Sequence, residues 1–264
     1  MNIDRYLQRI DYQGPRQPTL EVLDRLHHAH MLAVPFENLD IHLDRRIELS
    51  LPDIYEKIVN RQRGGFCYEL NGLFGWLLQQ LGYEVTLLSA GVYNEGIKGP
   101  EFAHMLLHVD LDEPVIVDVG FGDSFIEPLP LSQQQENPSQ GNYRFIQLQH
   151  EFILQKFDQG QWIPRYGFTL QSRTLDDFTE LCDYQQTSAR SRFTLGVICS
   201  RATPQGRITL SNDRLIITTD AQREEHAIVD ETRYRQLLLD KFAIRLSPED
   251  DITRLMQPDH PACR

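Results

Sequence analysis

The segment 63–72 places a cysteine, Cys67, after a paired-glycine turn and at the start of a pattern typical of an amphipathic helix. The unpaired N–H groups and the dipole at a helix N-terminus stabilise negative charge, and the thiolate is the form of cysteine that attacks electrophilic carbon. Gly64 and Gly65 allow a sharp turn and a close approach of the backbone to a ligand. The sequence therefore predicts Cys67 as a nucleophile. The alternative is a small hydrophobic side chain buried on the apolar helix face.

A nucleophilic thiol requires a base, which is usually a histidine oriented by a third polar group. His104 and His108 lie on one predicted strand, and Asp118 lies on the next. A hairpin centred near Leu111 pairs His104 with Asp118 and His108 with Pro114, and a carboxylate facing an imidazole across two strands can accept its hydrogen bond. This register selects His104 as the base. A two-residue slip changes the partners, and a buried salt bridge without chemistry is the alternative for the pair.

The elements that must position these side chains follow from hydrophobic spacing. The chain before residue 83 reads as helical, and the helix behind Cys67 has an apolar face formed by Leu70, Leu73, Phe74, Leu77, Leu78 and Leu81. Gly82 provides its stop. Strands are predicted at 84–90, 102–109, 115–119, 145–150, 152–157, 193–200, 206–210 and 215–219, and further helices at 174–186 and 231–242. This order of elements predicts an α+β fold.

Composition limits the function classes. The 264 residues are 41% hydrophobic, which is enough for one large core or for two to three small domains packed together. A formal net charge of -12, with both signs mixed along the chain, argues against nucleic acid as a partner. The first residues lack the apolar core of a secretion signal, and no apolar run approaches the length of a membrane span. We therefore expect a cytoplasmic protein without a membrane partner.

The other thiols and imidazoles do not form a pattern typical of a metal site. The four cysteines include no C-x-x-C pair, so neither a structural zinc site nor a dithiol redox site is expected. Cys182 and Cys199 are interpreted as packing residues and Cys263 as part of an exposed tail. His27 and His30 lack the i, i+4 spacing of a helical zinc site and are expected at the surface or the core edge.

Four blocks of the sequence, in their order and spacing, resemble the arylamine N-acetyltransferase family. They are the segments 34–40 (VPFENLD) and 63–71 (RGGFCYELN), the predicted strand that contains His104, and 117–122 (VDVGFG). The blocks cover the first half of the chain well, and the second half resembles the family more loosely. The combination is highly specific, although no single block would be.

The resemblance implies a catalytic triad of Cys67, His104 and Asp118, without a metal. It implies ping-pong transfer of an acetyl group from acetyl-CoA, the cosubstrate, through an acetyl-cysteine to the nitrogen of an arylamine or arylhydrazine. It also implies three domains around a cysteine-protease-like core. These are an N-terminal helical bundle (1–83), a central antiparallel β-barrel (84–190) and a C-terminal α/β lid (191–264).

Candidate contacts with the substrates are fewer. Phe36 and Phe121 are plausible pocket walls, because the glycines beside Phe121 let a substrate approach the backbone while its ring stacks on a flat apolar group. An ordinary bulge is the alternative interpretation of this Gly-Phe-Gly segment. Gly99 and Pro100, directly ahead of the predicted strand with His104, are candidates for contacting the CoA cosubstrate.

Three other functions share parts of this pattern. A papain-like or transglutaminase-like thiol hydrolase uses the same side-chain types with water as the acceptor, but no peptidase signature surrounds Cys67. An amide synthase of the same family would close a macrocycle from a bound thioester. A small-ligand binding domain would use Cys67 only as a structural residue.

Overall fold

The computed structural model describes residues 1–132, 142–219 and 222–256. The first eighty residues are mostly helical, as predicted from their apolar spacing. The elements in this segment are α1 (Ile3–Arg9), α2 (Leu20–Ala33), β1 (Phe36–Glu37), α3 (Leu39–His42), α4 (Leu51–Tyr55), a π-helical turn (Glu56–Asn60) and α5 (Cys67–Gln80). Within the described ranges, no helix has the length and apolar character needed to cross a bilayer.

Helix α5 belongs to the largest apolar cluster. Cys67 is its first residue, and the chain leaves the helix at Gly82, whose positive φ of 92° is typical of a glycine that follows a helix. The apolar side chains of α5 pack with those of α1, α2 and the adjacent sheet. The predicted start and stop of this helix are confirmed.

A curled, half-barrel sheet of antiparallel strands follows the helices. Its strands are β2 (Glu84–Asn94), β3 (Ile97–Lys98), β4 (His104–Asp110), β5 (Val115–Val117), β6 (Leu129–Pro130), β7 (Tyr143–Leu148), β8 (Glu151–Asp158) and β9 (Gln161–Phe168). Their order is β6-β5-β4-β2-β9-β8-β7, with β3 paired to the end of β2. The sequence did not predict β9, because Pro164 and Gly167 interrupt it, and a bulge between Leu154 and Gln155 accommodates it against β8.

The predicted register of the β4–β5 hairpin is wrong by two residues. His108 faces Ile116 rather than Pro114, and Leu107 faces Val117. The connecting turn is centred further along the chain than Leu111, and β5 ends before Asp118. Because side chains alternate with a period of two, a two-residue shift keeps every side chain on its predicted face.

The last part of the chain forms a second antiparallel sheet. Its elements are a 3₁₀ turn (Leu175–Phe178), α6 (Thr179–Thr187), α7 (Arg192–Leu195), β10 (Ile198–Thr203), β11 (Gly206–Ser211), β12 (Arg214–Thr219), β13 (Arg223–Ala227), α8 (Glu231–Phe242) and a 3₁₀ turn (Ile252–Leu255). The predicted strand at 193–200 is partly wrong, because Ser191 caps the N–H of Phe193 and opens the short helix α7. The sequence also missed β13, an exposed edge strand without hydrophobic alternation.

Strand β1 connects the N-terminal helical segment to the C-terminal sheet. The second sheet has the order β1-β10-β11-β12-β13, in which Phe36 faces Ser200 and Glu37 faces Cys199. A strand from the helical segment therefore begins the sheet of the C-terminal segment. This pairing brings Phe36 to the same cleft as Cys67.

Burial corrects one expectation about the other imidazoles and thiols. His27 and His30 are fully buried rather than at the surface or core edge, because α2 turns their face toward Phe74 of α5. Cys182 and Cys199 are buried packing residues, as predicted, and Cys263 lies outside the described residues. Among the residues that the structure describes, no group of three or more His, Cys, Asp or Glu could hold a metal ion.

Candidate active site

Cys67 lies where an extended segment ends and α5 begins. Its neighbour Phe66 has extended backbone angles, with φ of -98° and ψ of -171°. Cys67 is only 3% exposed, yet it lines a cleft between the two sheets. The first position of a 14-residue helix places its thiol at the positive end of the helix dipole.

His104 and Asp118 form a buried pair beside this thiol. His104 Nε2 lies 2.8 Å from Asp118 Oδ2, and both residues are at most 2% exposed. His104 is the first residue of β4, and Asp118 follows the last residue of β5. The pair therefore meets diagonally across the hairpin rather than directly opposite, and the two-residue register error did not separate them.

The charges of the pair stabilise each other. Burial disfavours the charged imidazole, but the Asp118 carboxylate and hydrogen bonds of the ring to Asp118 and Cys67 outweigh it and raise the pKa of His104 to about 10. Burial likewise disfavours the carboxylate, but His104 and the N–H donors of Asn71 and Gly120 hold the pKa of Asp118 below its ordinary value. Both shifts favour an imidazolium beside a carboxylate at neutral pH.

Asn71 fixes Asp118 to the helix that carries the thiol. Its Nδ2 donates to Asp118 Oδ1 at 2.9 Å and to the carbonyl of Met105 at 2.6 Å. Its Oδ1 accepts the N–H of Val119 at 2.9 Å. The sequence analysis did not single out Asn71, although its i+4 spacing from Cys67 places both on one helix face.

Gly120 allows the strand end to contact the start of α5. A Cβ at this position would lie 2.6 Å from Asn71 Nδ2 and 2.7 Å from the Cα of Cys67. The Gly120 N–H also donates to Asp118 Oδ1 at 3.0 Å. Any side chain here would push the carboxylate loop away from the thiol.

The paired glycines before Cys67 have a different role from the predicted one. A Cβ on Gly64 would lie 2.0 Å from the carbonyl oxygen of Pro35, and a Cβ on Gly65 would lie 2.8 Å from the Cβ of Glu69. The interpretation that they admit a ligand is wrong. They admit the backbone before β1 and the first turn of α5.

A buried ionic network, which the sequence analysis missed, lies behind the start of α5. Arg63 Nη2 pairs with Glu37 Oε1 at 2.8 Å and with Asp40 Oδ1 at 3.0 Å. Lys57 Nζ pairs with Asp40 Oδ2 at 2.9 Å and with Glu69 Oε1 at 2.8 Å. The network ties β1, α3 and the π-helical turn to the first turn of α5. The available signal was the presence of Glu37, Asp40, Arg63 and Glu69 within otherwise largely apolar quoted blocks.

The thiol opens into a cleft of about 1060 Å³. Phe36 and Phe121, predicted as pocket walls, both line it. The ring of Phe121 lies edge-on to His104, with centroids 5.0 Å apart, and Phe36 packs against Phe193 at 6.1 Å. Flat aromatic walls next to a thiol suit a flat apolar substrate.

Of the two residues predicted to contact the cofactor, Gly99 and Pro100, only Pro100 lies on the cleft. Gly99 instead donates its N–H to the carbonyl of Val92 at 2.8 Å, which closes the turn between β3 and β2.

Basic residues on the cleft wall escaped the sequence analysis. Six arginines line it, against three carboxylates, Asp123, Glu180 and Glu225. The arginines are Arg165, Arg190, Arg192, Arg207, Arg214 and Arg223. They are scattered over three parts of the sequence, and the net charge of -12 obscures them. Only the folded chain brings these arginines to one cleft.

A cysteine at a helix start beside a histidine and a carboxylate, on an α+β scaffold, is the arrangement of thiol-dependent acyl-transfer and hydrolytic enzymes. A family model described as N-acetyltransferase matches residues 19–252. The chain is 34% identical to arylamine N-acetyltransferase, pineal gland isozyme NAT-10, of Gallus gallus over 93% of this chain and 95% of that protein.

Solved structures agree. The arylamine N-acetyltransferase of M. tuberculosis superimposes with a TM-score of 0.88 at 31% identity, over 97% of this chain and 100% of that one. The Mycobacterium marinum enzyme in complex with CoA superimposes with a TM-score of 0.87 at 30% identity, over 97% of each chain. The chain belongs to the arylamine N-acetyltransferase family, and the predicted fold class is confirmed.

Proposed function

We propose that this enzyme transfers the acetyl group of acetyl-CoA to arylamines or arylhydrazines through an acetyl-cysteine on Cys67. The observation that carries the proposal is the buried His104–Asp118 pair, whose imidazole interacts electrostatically with the Cys67 thiol, in an aromatic cleft that all three elements of the site line or adjoin. The helix position of Cys67 and the raised pKa of His104 both favour a thiolate–imidazolium pair. The predicted domain boundaries and cytoplasmic location remain predictions.

In the first half-reaction, the Cys67 sulfur forms a bond to the thioester carbonyl carbon while His104 holds the thiol proton. The tetrahedral adduct expels the CoA sulfur, to which His104 returns that proton. Cys67 is then acetylated and His104 is neutral. Asp118 stabilises the imidazolium whenever it forms and fixes the ring tautomer.

In the second half-reaction, the neutral amine adds to the acetyl carbon of Cys67. His104 removes the ammonium proton, and collapse of the adduct breaks the C–S bond and releases the N-acetyl product. The electron pair of that bond restores the Cys67 thiolate beside the His104 imidazolium. The cleft walls Phe36 and Phe121 hold the aromatic ring of the amine.

We assign the phosphates of CoA to the outer arginines of the cleft. Arg190 precedes α7, Arg192 is its first residue, and Arg223 lies on the edge strand β13. Guanidinium groups bind phosphate through paired N–H donors. Pro100 lines the same cleft and remains a candidate cofactor contact.

Intact-protein mass spectrometry after incubation with acetyl-CoA, without an acceptor, tests this function. We expect one added acetyl group on the wild type and on Cys182→Ala, a buried thiol outside the cleft lining, but none on Cys67→Ala. Addition of an arylhydrazine should discharge the acetyl group and yield its N-acetyl derivative. Spontaneous loss of the acetyl group to water at the rate of discharge by the amine would instead support a thiol hydrolase. Acetylation that persists in Cys67→Ala would exclude Cys67 as the acyl carrier.

A further inference from the structure

Side chains of α5 hold the segment around His104 at two points. Asn71 donates to the carbonyl of Met105 at 2.6 Å, one residue after His104. Tyr68, which directly follows the thiol residue, donates its hydroxyl to the carbonyl of Phe102 at 2.8 Å, two residues before His104. The two hydrogen bonds therefore bracket the imidazole from the helix that carries the thiol.

Strand β4 depends on such contacts at this end. It pairs with β2 from its first residue, where His104 faces Ala90, but its pairing with β5 begins at Leu107. The β5 edge of the strand is therefore left to side-chain contacts at His104. The distance between the imidazole and the thiol depends on how the segment before His104 is fixed.

The backbone of that segment is strained at Phe102. The Ala103 N–H closes a turn to the carbonyl of Pro100 at 3.4 Å, and Phe102, the third residue of this turn, has a φ of 64°. This left-handed region favours glycine, and a bulky side chain occupies it only where the surrounding structure holds it there. Relaxation of the turn would move His104, which follows two residues later.

Three contacts hold Phe102 in this conformation. Tyr68 bonds its carbonyl, and the Cζ of Arg173 lies 4.9 Å from the centroid of its ring. The ring of Phe178 packs edge-on against it, with centroids 5.3 Å apart. Of the three, only the bond from Tyr68, a fully buried residue, reaches the backbone of Phe102 and comes from the helix of Cys67.

We propose that Tyr68 is a positioning residue for the acetyl transfer: its hydroxyl holds Phe102 in the left-handed turn and so keeps the imidazole of His104 beside the sulfur of Cys67. The inference rests on the proposed function. An imidazolium stabilises a nearby thiolate, and this stabilisation falls as the two charges separate. A buried hydroxyl outside the cleft lining therefore controls how much of Cys67 is in the attacking form.

Alkylation of Cys67 by iodoacetamide tests this role without acetyl-CoA or an acceptor. The rate is followed across pH by mass spectrometry of the peptide that contains Cys67. Tyr68→Phe removes only the hydroxyl. Tyr55→Phe is the matched control, because Tyr55 is also buried and its hydroxyl donates to a backbone carbonyl, that of Asn2, at 2.9 Å.

We expect the alkylation profile of Tyr68→Phe to shift to higher pH by about 0.5 to 1 unit, as for one lost hydrogen bond. The profile of Tyr55→Phe should match that of the wild type. Acetylation by acetyl-CoA at neutral pH should slow by about three- to tenfold in Tyr68→Phe alone. Circular dichroism checks that both variants are folded.

A glycine at position 102 separates the role of the turn from that of the hydroxyl. Glycine adopts a positive φ without strain, so the turn of Phe102→Gly no longer depends on the bond from Tyr68. We therefore expect Tyr68→Phe to shift the alkylation profile less in the Phe102→Gly background than in the wild type.

Three results would overturn the positioning role. They are an unshifted profile in a folded Tyr68→Phe, an equal shift in Tyr55→Phe, and a shift of the same size with and without Phe102→Gly. In contrast, a wild-type Cys67 that acetyl-CoA never acetylates, but whose alkylation still depends on Tyr68, would refute the proposed function and support the positioning role.

Discussion

His104 and His27 are both fully buried, yet their surroundings shift their pKa values in opposite directions. Burial disfavours the charged form of each ring. At His27, which stacks on Phe125 at 5.8 Å and bonds through Nδ1 to the carbonyl of Ile126 at 2.9 Å, burial dominates and lowers the pKa to about 4. At His104, the Asp118 carboxylate and the thiol raise it to about 10. An adjacent anion, rather than burial, decides which histidine can hold a proton for chemistry.

The largest expected effect separates the two histidines by function. His104→Ala removes the proton carrier and should lower kcat/KM by about a thousandfold or more. His27→Ala should instead lower the free energy of unfolding by about 2–4 kcal/mol, as for other large buried side chains, and leave the activity of the folded fraction largely intact. Steady-state kinetics and urea denaturation of both variants check this. Comparable losses of activity in His104→Ala and His27→Ala would contradict the assignment of a catalytic role to His104 alone.

The second effect removes the anion that distinguishes His104. Asp118→Asn leaves a buried amide that cannot stabilise the imidazolium, and we expect kcat/KM to fall by about a hundredfold or more. Circular dichroism should show an intact fold, because Asn71 and the Gly120 N–H can still bond the amide. Near wild-type turnover in a folded Asp118→Asn would contradict the orienting and charge-stabilising role.

A third prediction concerns the distance between the Asp118 carboxylate and the Cys67 thiol. Gly120→Ala forces a Cβ against backbone and amide atoms of α5, and such overpacking costs about 1–3 kcal/mol. Activity should fall with it, because Asp118 moves with residue 120. Gly75→Ala on the same helix is the control, since its Cβ would only meet the flexible end of Leu107 at 3.3 Å. An active, fully stable Gly120→Ala would show that the close approach is dispensable.

The fourth and smallest effect is in the pH dependence of stability. Because the folded-state pKa of His104 is raised, its contribution is complete below pH about 6.5 and is lost as pH rises through about 10. The lowered pKa of His27 has the opposite sign, so its neutral ring loses stability as pH falls from about 6.5 through about 4. His27→Phe should therefore gain stability relative to wild type over that acid range. Urea midpoints across the range, parallel for both proteins, would contradict it.

The features of the fold and site that could be predicted are those encoded in local sequence patterns. The start of α5 could be predicted because the paired glycines and the apolar spacing are both local signals. His104 and Asp118 were selected by residue type and strand face. The register between them was not, because the length of the turn decides it. The alternation of side chains along a strand predicts which face of the sheet each residue occupies. It does not predict which residues of the two strands lie opposite each other.

The features that could not be predicted depend on contacts between residues far apart in the sequence. Asp123, Lys156, Arg165 and Arg207, which form one cluster of ion pairs, come from a loop and three different strands, so no spacing in the sequence relates them. The burial of His27 was misjudged because a polar residue type was assigned to the surface, whereas a neutral imidazole bonded to a carbonyl packs well among aromatic rings.

The most direct test of the account is a nuclear magnetic resonance titration of the imidazole nitrogens of His104, assigned by its absence in a His104 variant. We expect a pKa near 10 in the wild type. In Asp118→Asn we expect a clearly lower pKa, because only Cys67 then opposes the effect of burial on the imidazolium. A wild-type pKa at or below 6.5 would contradict the claim that Asp118 keeps His104 protonated beside Cys67.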